Sequence, residues 1–346
     1  MHDTTRIIVI YDSIYNAVFE SQVLTPCKQW LQKSVRHNAY IVSFEQSIDS
    51  APAMLEEIPL IAFKRTFYLG MWQLQQQIQQ LRSFLAKHTH YELIARGPFA
   101  GYIALHARTT ACQKLIIQAR GLATEEYAFT HQKSNPIMRL LRTKQLRALE
   151  KQVYSTNAPD VIIEAVSPAL KAHLIDTFGT PATRTTLAEH DLPAAMQKTA
   201  RAAHRQRIRA ACNIGANATV YCYSGSHKPW QCPKETIAYF KQQAAQNADA
   251  CLLLLTTDIT PFAQELSAQD IPPHRYRLLR VTPEQLPSYL AAADYGLLFR
   301  DNHIINKTAR PTKALEYAAA GLTIIHNGTV DYLHDMRHTI DSQKPS

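Results

Sequence analysis

Arg6-Ile-Ile-Val-Ile-Tyr11, Ala39-Tyr-Ile-Val-Ser-Phe44 and Pro59-Leu-Ile-Ala-Phe63 are three nearly unbroken apolar runs, and residues 17 to 32 between the first two are long enough for a helix. Runs without polar alternation fit strands buried on both faces, and such strands belong to parallel sheets whose crossovers are helices. The pattern continues outward. Residues 71 to 87 are Gln-rich with Leu74, Ile78, Leu81 and Leu85 at spacings of three and four, which predicts an amphipathic helix. Tyr91-Glu-Leu-Ile-Ala95 and Lys114-Leu-Ile-Ile-Gln118 read as strands on either side of a helix over 99–107, and Ala158-Pro-Asp-Val-Ile-Ile163 reads as the last strand of this half. Ser167-Pro168 then supplies the cap and first position of a further helix. A boundary near 187–192 precedes a long Ala/Arg helix over 192–211, and strands follow at 219–223, 250–255, 276–279, 295–299 and 322–325. Repeated strand–helix–strand units predict an α/β protein of two doubly wound parallel-sheet domains, residues 1–190 and 191–346, with ligands entering a cleft at the carboxyl ends of the strands.

The bulk composition agrees with two domains. A chain of 346 residues exceeds one ordinary core, and 46% hydrophobic with 19% charged residues is globular usage. The 37 Lys+Arg against 28 Asp+Glu leave +9, which favours anionic partners. The densest basic stretch, Arg201-Ala-Ala-His-Arg-Gln-Arg-Ile-Arg209, reads as a solvated helix face; no aromatic residue is interleaved with it, so no nucleic-acid partner is expected. Cys27, Cys112, Cys212, Cys222, Cys232 and Cys251 stand singly, so neither a metal site nor a disulfide framework is expected. The longest apolar runs, such as 252–255, fall far short of a membrane span, and no cleavable leader is legible. These features predict a cytoplasmic protein that touches membranes only from outside the bilayer. There is no G-x-G-x-x-G, no Walker loop and no G-x-S-x-G elbow, which removes the main support for a dinucleotide dehydrogenase, a P-loop enzyme or an α/β-hydrolase.

The chemistry concentrates in Phe299-Arg-Asp-Asn-His-Ile-Ile-Asn-Lys-Thr-Ala-Arg-Pro-Thr-Lys-Ala-Leu-Glu-Tyr-Ala-Ala-Ala-Gly321, ahead of the strand at 322–325. Pro311 suits the first helical position and Gly321 the residue that ends the helix. The amino end of this helix, carrying Thr312 and Lys313, has free N–H groups and the positive dipole end where a diphosphate fits. Glu316, one and a half turns further in, is placed to accept the two hydroxyls of a ribose, and Arg300 can bring a bidentate guanidinium to the phosphates. Taken singly, Glu316 also reads as an ordinary helix-surface acid and Arg300 as a strand-end solubiliser.

This segment resembles the donor-binding region of glycosyltransferase family 4, in the subgroup that reads Pro-Thr-Lys, two residues, Glu-Tyr, then Ala and Gly before an apolar strand. Val220-Tyr-Cys-Tyr-Ser-Gly-Ser226 with Trp230-Gln231 is similar to the same subgroup's first strand and donor loop, where Gly225 and Ser226 let the backbone approach the donor. Leu286-Pro-Ser-Tyr-Leu-Ala-Ala-Ala-Asp294 is similar to the helix before the strand that delivers Arg300. In the first half, Leu93-Ile-Ala-Arg-Gly97 and Ile117-Gln-Ala-Arg-Gly-Leu-Ala-Thr-Glu-Glu126 look like strand-end turns facing the cleft. Arg96, Arg120 and Glu125 are then the acceptor-side candidates, although Arg-Gly after a strand is also common loop chemistry. Tyr11-Asp12-Ser13 through Ser21-Gln22 takes the place of the family's first loop and helix, where acceptors enter. Departures are Thr308, where many members carry a second acid eight residues before the ribose-binding Glu, and His227, Lys228 and Gln231, where an Arg/Lys pair is usual. Members also continue past the strand at 322–325, so the second domain reads as shortened.

The resemblance implies a GT-B fold and a retaining, hexosyltransferase-like transfer from a nucleoside diphosphate sugar to a saccharide or lipid-linked saccharide hydroxyl, in cell-surface polysaccharide or glycolipid synthesis. Arg300, Lys313 and Glu316 would carry the chemistry, with no cofactor and no metal, and a basic protein suits peripheral contact with an anionic membrane. Thr308 and the short carboxyl end point to the alternative, a non-catalytic sugar-nucleotide-binding or partner subunit of the same fold. A sugar-nucleotide epimerase is a third reading.

Overall fold

In a computed structural model the described residues are 4–11, 13–15, 19–49, 51–66, 68, 70–188, 195–334, 336 and 339–341. The chain divides into two compact units, Met1–Asp191 and Leu192–Ser346.

The first unit contains β1 (Thr4–Ile10), a π-helical turn Glu20–Leu24 running into α1 (Thr25–Leu31), β2 (His37–Glu45), β3 (Met54–Leu55), β4 (Ile58–Lys64), α2 (Gln75–Leu85) and β5 (Tyr91–Arg96). It continues with α3 (Gly97–Ala107), β6 (Cys112–Ala119), α4 (Ala123–Thr130), α5 (Pro136–Tyr154), β7 (Val161–Ala165), α6 (Pro168–Phe178) and β8 (Thr185–Leu187). The sheet order is β3-β4-β2-β1-β5-β6-β7-β8, parallel except for the β3–β4 edge. Successive residues Ile7, Ile8, Val9 and Ile10 of β1 are all buried, so both faces of the sheet are covered here, which is why the run lacks polar alternation. The strand expected over 158–163 begins only at Val161, after Pro159, a residue that cannot donate to a ladder. Of the helix expected over 17–32, residues 17 and 18 lie outside the described residues.

The second unit contains α7 (Lys198–Ala211), β9 (Thr219–Ser224), α8 (Pro233–Gln246), β10 (Ala250–Leu255), α9 (Ile259–Ala268), β11 (Tyr276–Leu279) and α10 (Leu286–Leu290). Then come β12 (Tyr295–Leu298), α11 (Ile304–Lys307), α12 (Thr312–Ala319), β13 (Thr323–His326) and β14 (Thr339–Asp341). All pairs in the order β11-β10-β9-β12-β13-β14 are parallel. Alternate residues of one strand feed two separate cores: Cys251, Leu253 and Leu255 of β10 pack with Cys222 and Tyr317, while Ala250, Leu252 and Leu254 pack with Tyr221, Phe240 and Phe262. A doubly wound sheet requires this two-sided burial.

Two expectations change. Of the helix expected over 192–211, residues 192–194 lie outside the described residues, and the described helix starts at Lys198; Met196 N instead donates to Ala319 O at the end of α12 (2.8 Å), which holds residue 196 out of helix. The basic stretch is also not uniformly solvated. Arg205 and Arg209 of α7 turn inward onto Asp294, at 2.7 and 2.9 Å, and Arg209 further donates to the carbonyls of Gly215, Ala216, Ala218 and Ala292.

Candidate functional site

Just past β12, Arg300 has its main chain clamped. Its N–H donates to Asn327 Oδ1 (3.2 Å), and its carbonyl accepts from Asn327 Nδ2 (2.7 Å) and Thr329 Oγ1 (3.1 Å). The guanidinium is carried inward, leaving the residue 8% exposed, and Nε finds no hydrogen-bond partner among the described residues. Burial disfavours its charged form.

Pro311 is the N-cap of α12 (φ −66°, ψ 124°), one residue earlier than its predicted place at the first helical position. Its locked φ accommodates the extended ψ that a cap needs, and its missing N–H removes one donor that the helix start could not satisfy. Thr312 therefore opens the helix. At the other end Gly321 adopts φ 73°, with Gly321 N donating to Ala318 O (3.0 Å) and Leu322 N to Tyr317 O (2.9 Å). This paired termination makes α12 two turns long and sharply bounded.

Lys313 in the first turn is buried. Its Nζ donates to Gln231 Oε1 (2.8 Å) and lies 3.9 Å from the centre of the Tyr223 ring. Gln231 is held in turn: Tyr223 Oη is 2.9 Å from its Oε1, and its Nε2 donates to Ser226 Oγ (3.1 Å). Gly225 crosses over the amine at φ 133°, and a Cβ there would stand 2.9 Å from Lys313 Nζ. The backbone conformation therefore demands glycine, and a Cβ would also have to displace the amine from its place. Burial, reinforced by nearby Arg300, pushes the Lys313 amine well below the usual lysine range. Glu316, one turn on, is half-buried; burial raises its carboxyl pKa while Lys313 works against the rise. Neither Arg300 nor Lys313 makes an ion pair among the described residues, and there Glu316 makes no hydrogen bond through its side chain.

Gly225, Ser226, Arg300, Pro311, Thr312, Lys313 and Glu316 are thus gathered where β9 and β12 end and α12 begins. Tyr223 and Tyr317 stand in the two quoted motifs, but the sequence alone assigned neither a place in the site. The Tyr317 hydroxyl accepts from Ser224 N (2.8 Å), tying α12 to the end of β9. Of the three residues standing where an Arg/Lys pair is usual, only Gln231 reaches Lys313. His227 N donates to Asp258 Oδ2 (2.8 Å), and Lys228 Nζ sits 5.0 Å over Trp230. Thr308 is buried and its hydroxyl donates to Ile304 O (2.9 Å).

In the first unit, Arg96 and Arg120 line one cavity of about 430 Å³ together with Tyr11, Phe99, Glu126 and Arg142. That volume is within the range of small-ligand sites, roughly 300–1,000 Å³. Tyr11 stacks on Phe99 at 4.7 Å, and Tyr68 meets Phe99 edge-on at 4.8 Å while carrying Arg142 over its own ring at 4.6 Å. Arg96 also reaches Gln22, and Arg120 Nη2 donates to Gln118 Oε1 (3.3 Å). Glu125 is not brought into this group. It pairs with Arg147 at 2.7 Å, and its neighbour Glu126 takes the place on the cavity wall. The reason is helical phase: consecutive residues of α4 point about 100° apart. Asp12, expected beside this entrance, lies outside the described residues.

No protein-family model matches the chain, and no curated protein matches it in sequence. Solved structures do match. Sucrose-phosphate synthase from Thermosynechococcus elongatus superposes with a TM-score of 0.69 at 14% identity, over 95% of this chain and 82% of its own. WaaG, a glycosyltransferase involved in lipopolysaccharide biosynthesis, gives 0.65 at 13%, over 98% and 86%. HepE of Anabaena, solved with UDP and glucose, gives 0.66 at 12%, over 97% and 85%. At such identities the likeness is one of fold: the chain is an α/β protein of the GT-B class, built from two Rossmann-like units.

Proposed function

We propose that the protein is a glycosyltransferase that moves a sugar from a nucleoside diphosphate sugar to a hydroxyl acceptor. Arg300, Lys313 and the opening turn of α12 hold the diphosphate, and Glu316 accepts the ribose hydroxyls. One observation carries this reading: Arg300 and Lys313 are both buried, the first within electrostatic reach of the second, and neither makes an ion pair among the described residues. Burying a lone charge costs several kcal/mol, and a dianionic ligand would offset that cost for both at once. The guanidinium fork suits a phosphate bidentately, and both charges would stabilise the diphosphate as it leaves. That HepE was solved with UDP and glucose, and that WaaG acts in lipopolysaccharide biosynthesis, support a nucleotide sugar as donor and a saccharide or lipid-linked saccharide as acceptor. Retention of configuration and a role in cell-surface polysaccharide or glycolipid synthesis belong to the same proposal.

Thr308 favours a second reading, a non-catalytic sugar-nucleotide-binding or partner subunit, because its buried hydroxyl stands where the resemblance places an acid. Incubation with UDP-sugars and other nucleotide sugars, with and without saccharide acceptors, separates the two. Free nucleoside diphosphate and a glycosylated acceptor are expected. Nucleotide binding without either product would leave the non-catalytic reading, and an epimerised sugar would redirect the chemistry.

A further inference from the structure

Ten large apolar side chains are exposed among the described residues, and four of them fall within five positions at the start of α5: Ile137 (68%), Met138 (61%), Leu140 (56%) and Leu141 (52%). The other six are dispersed along the chain. This cluster is not a frayed end. Asn135 caps the helix, its side chain accepting from Ile137 N (3.0 Å) and Met138 N (3.2 Å), and Pro136 occupies the first turn. Further along, Leu146, Leu149 and Val153 are buried, so the helix is rooted in the first unit while its first turns present apolar side chains that serve no core.

Charge identifies what such a tip meets. Between Glu126 and Glu150 the sequence has five Lys/Arg and no Asp or Glu; Arg142 lies on Tyr68 and Arg147 pairs with Glu125, which leaves Lys133, Arg139 and Lys144 around the tip. Lys133 and Lys144 are exposed on either side of the apolar four, and Arg139 lies between them. A second copy of the chain docking symmetrically on this tip would set these cations against their own images, which is unfavourable. An apolar end ringed by cations instead matches a bilayer interface with anionic headgroups.

We propose that the tip of the α4–α5 hairpin docks on an anionic lipid bilayer, with Ile137, Met138, Leu140 and Leu141 entering the headgroup–acyl boundary. The contact is shallow. No described helix is long and apolar enough to cross a membrane, and beyond Leu141 the outward face of α5 turns to Lys144 and Lys151. Arg142 and Leu146, which line the first unit's cavity, follow within one to two helical turns, so docking would bring that cavity close to the lipid surface. This inference stands on the surface alone and does not depend on the donor site.

Vesicle co-sedimentation of the full chain tests it. Wild type should bind equimolar phosphatidylcholine–phosphatidylglycerol vesicles, more weakly at high salt, and bind pure phosphatidylcholine poorly. I137S/M138S/L140S/L141S should lower partitioning by about 100-fold, since four apolar side chains no longer enter the interface. K133Q/K144Q should lower it by roughly 25-fold, at about fivefold for each cation near the surface. Circular dichroism reports the fold of each variant; were the fourfold change to unfold the chain, the lysine pair decides. Nucleotide affinity, measured alongside, should be unchanged, which keeps this test separate from that of the donor site. Absence of wild-type binding to the anionic vesicles, equal binding by the variants, or a wild-type dimer that the fourfold change dissociates while vesicles are ignored would each overturn the proposal.

Discussion

The two ends of β12 carry buried cations that are handled in opposite ways. At its start Asp294 accepts from Arg205, from Arg209 and from Val220 N (2.8 Å), and the remaining donors of Arg209 are met by four carbonyls. At its end Arg300 and Lys313 have one amide oxygen, one aromatic ring and no ion pair among the described residues. The first cluster is saturated and pins α7 to the sheet. The second is hydrogen-bonded in place yet left electrostatically incomplete, which is what the proposed diphosphate site would require. Cationic side chains at the two ends of one strand are therefore handled differently, and the difference lies in their acceptors.

The largest effect should come from breaking the saturated end. Asp294→Ala strands the buried Arg209 guanidinium and should destabilise the protein by about 3 kcal/mol, at the low end for a severed buried pair because Asp294 itself is partly exposed. Urea unfolding measures this, and nucleotide affinity of the folded variant should match wild type. A loss below about 1 kcal/mol would mean that the carbonyls alone hold Arg209.

At the unsaturated end the balance reverses, with binding affected more than stability. Glu316→Ala should weaken nucleotide-sugar binding by about 2 kcal/mol, roughly 30-fold, as hydrogen bonds from ribose hydroxyls to a charged acceptor are lost. Because burial disfavours the Glu316 carboxylate, the unliganded variant should be at least as stable as wild type. Unchanged nucleotide affinity in calorimetry, with the variant folded, removes Glu316 from the site.

The sequence made the unsaturated end far more legible than the saturated one. Pro311, Lys313, Glu316 and Gly321 lie in or immediately beside a single short helix, so the spacing that builds the site is local and can be read directly. Arg209 and Asp294 are 85 positions apart, and only the packing of α7 on α10, just ahead of β12, makes them partners. For the same reason the basic stretch 201–209 reads as a solvated face when taken alone. Gln231 is a similar case: its residue type gives no hint that its amide oxygen would meet Lys313, 82 positions away. Helix α5 fails differently. Asn135-Pro136 is a sound start signal. However, the apolar residues that follow face outward, so the periodicity that marks a core-facing helix is blurred until Leu146. The strand pattern was robust because both sheets bury both faces, which leaves an apolar run visible without knowledge of partners.

Lys313→Met gives the smallest shift and the sharpest test of the contrast. The methionine fills similar space without a charge, and Gln231 Oε1 keeps the Tyr223 hydroxyl as a donor. Near neutral pH the variant should therefore gain about 1 kcal/mol in stability, while its nucleotide affinity falls about tenfold. The pH dependence follows from the direction of the lysine shift. With its folded pKa well below the ordinary value, Lys313 binds fewer protons folded than unfolded across the interval between the two, so wild-type stability rises with pH there and is lost as pH falls through the folded value. The variant lacks this arm, so its advantage should grow toward acid and shrink toward the ordinary lysine pKa. Glu316 acts in the opposite sense: its raised pKa contributes stability that disappears as pH climbs through the folded value, in both proteins. Because Lys313 opposes that rise, its removal moves the Glu316 transition as well, so the difference between the two pH–stability curves reports Lys313 at pH values above the Glu316 transition of both proteins. A variant that unfolds more easily than wild type and binds nucleotide as well would make Lys313 a structural partner of Gln231, and the two ends of β12 would no longer differ in kind.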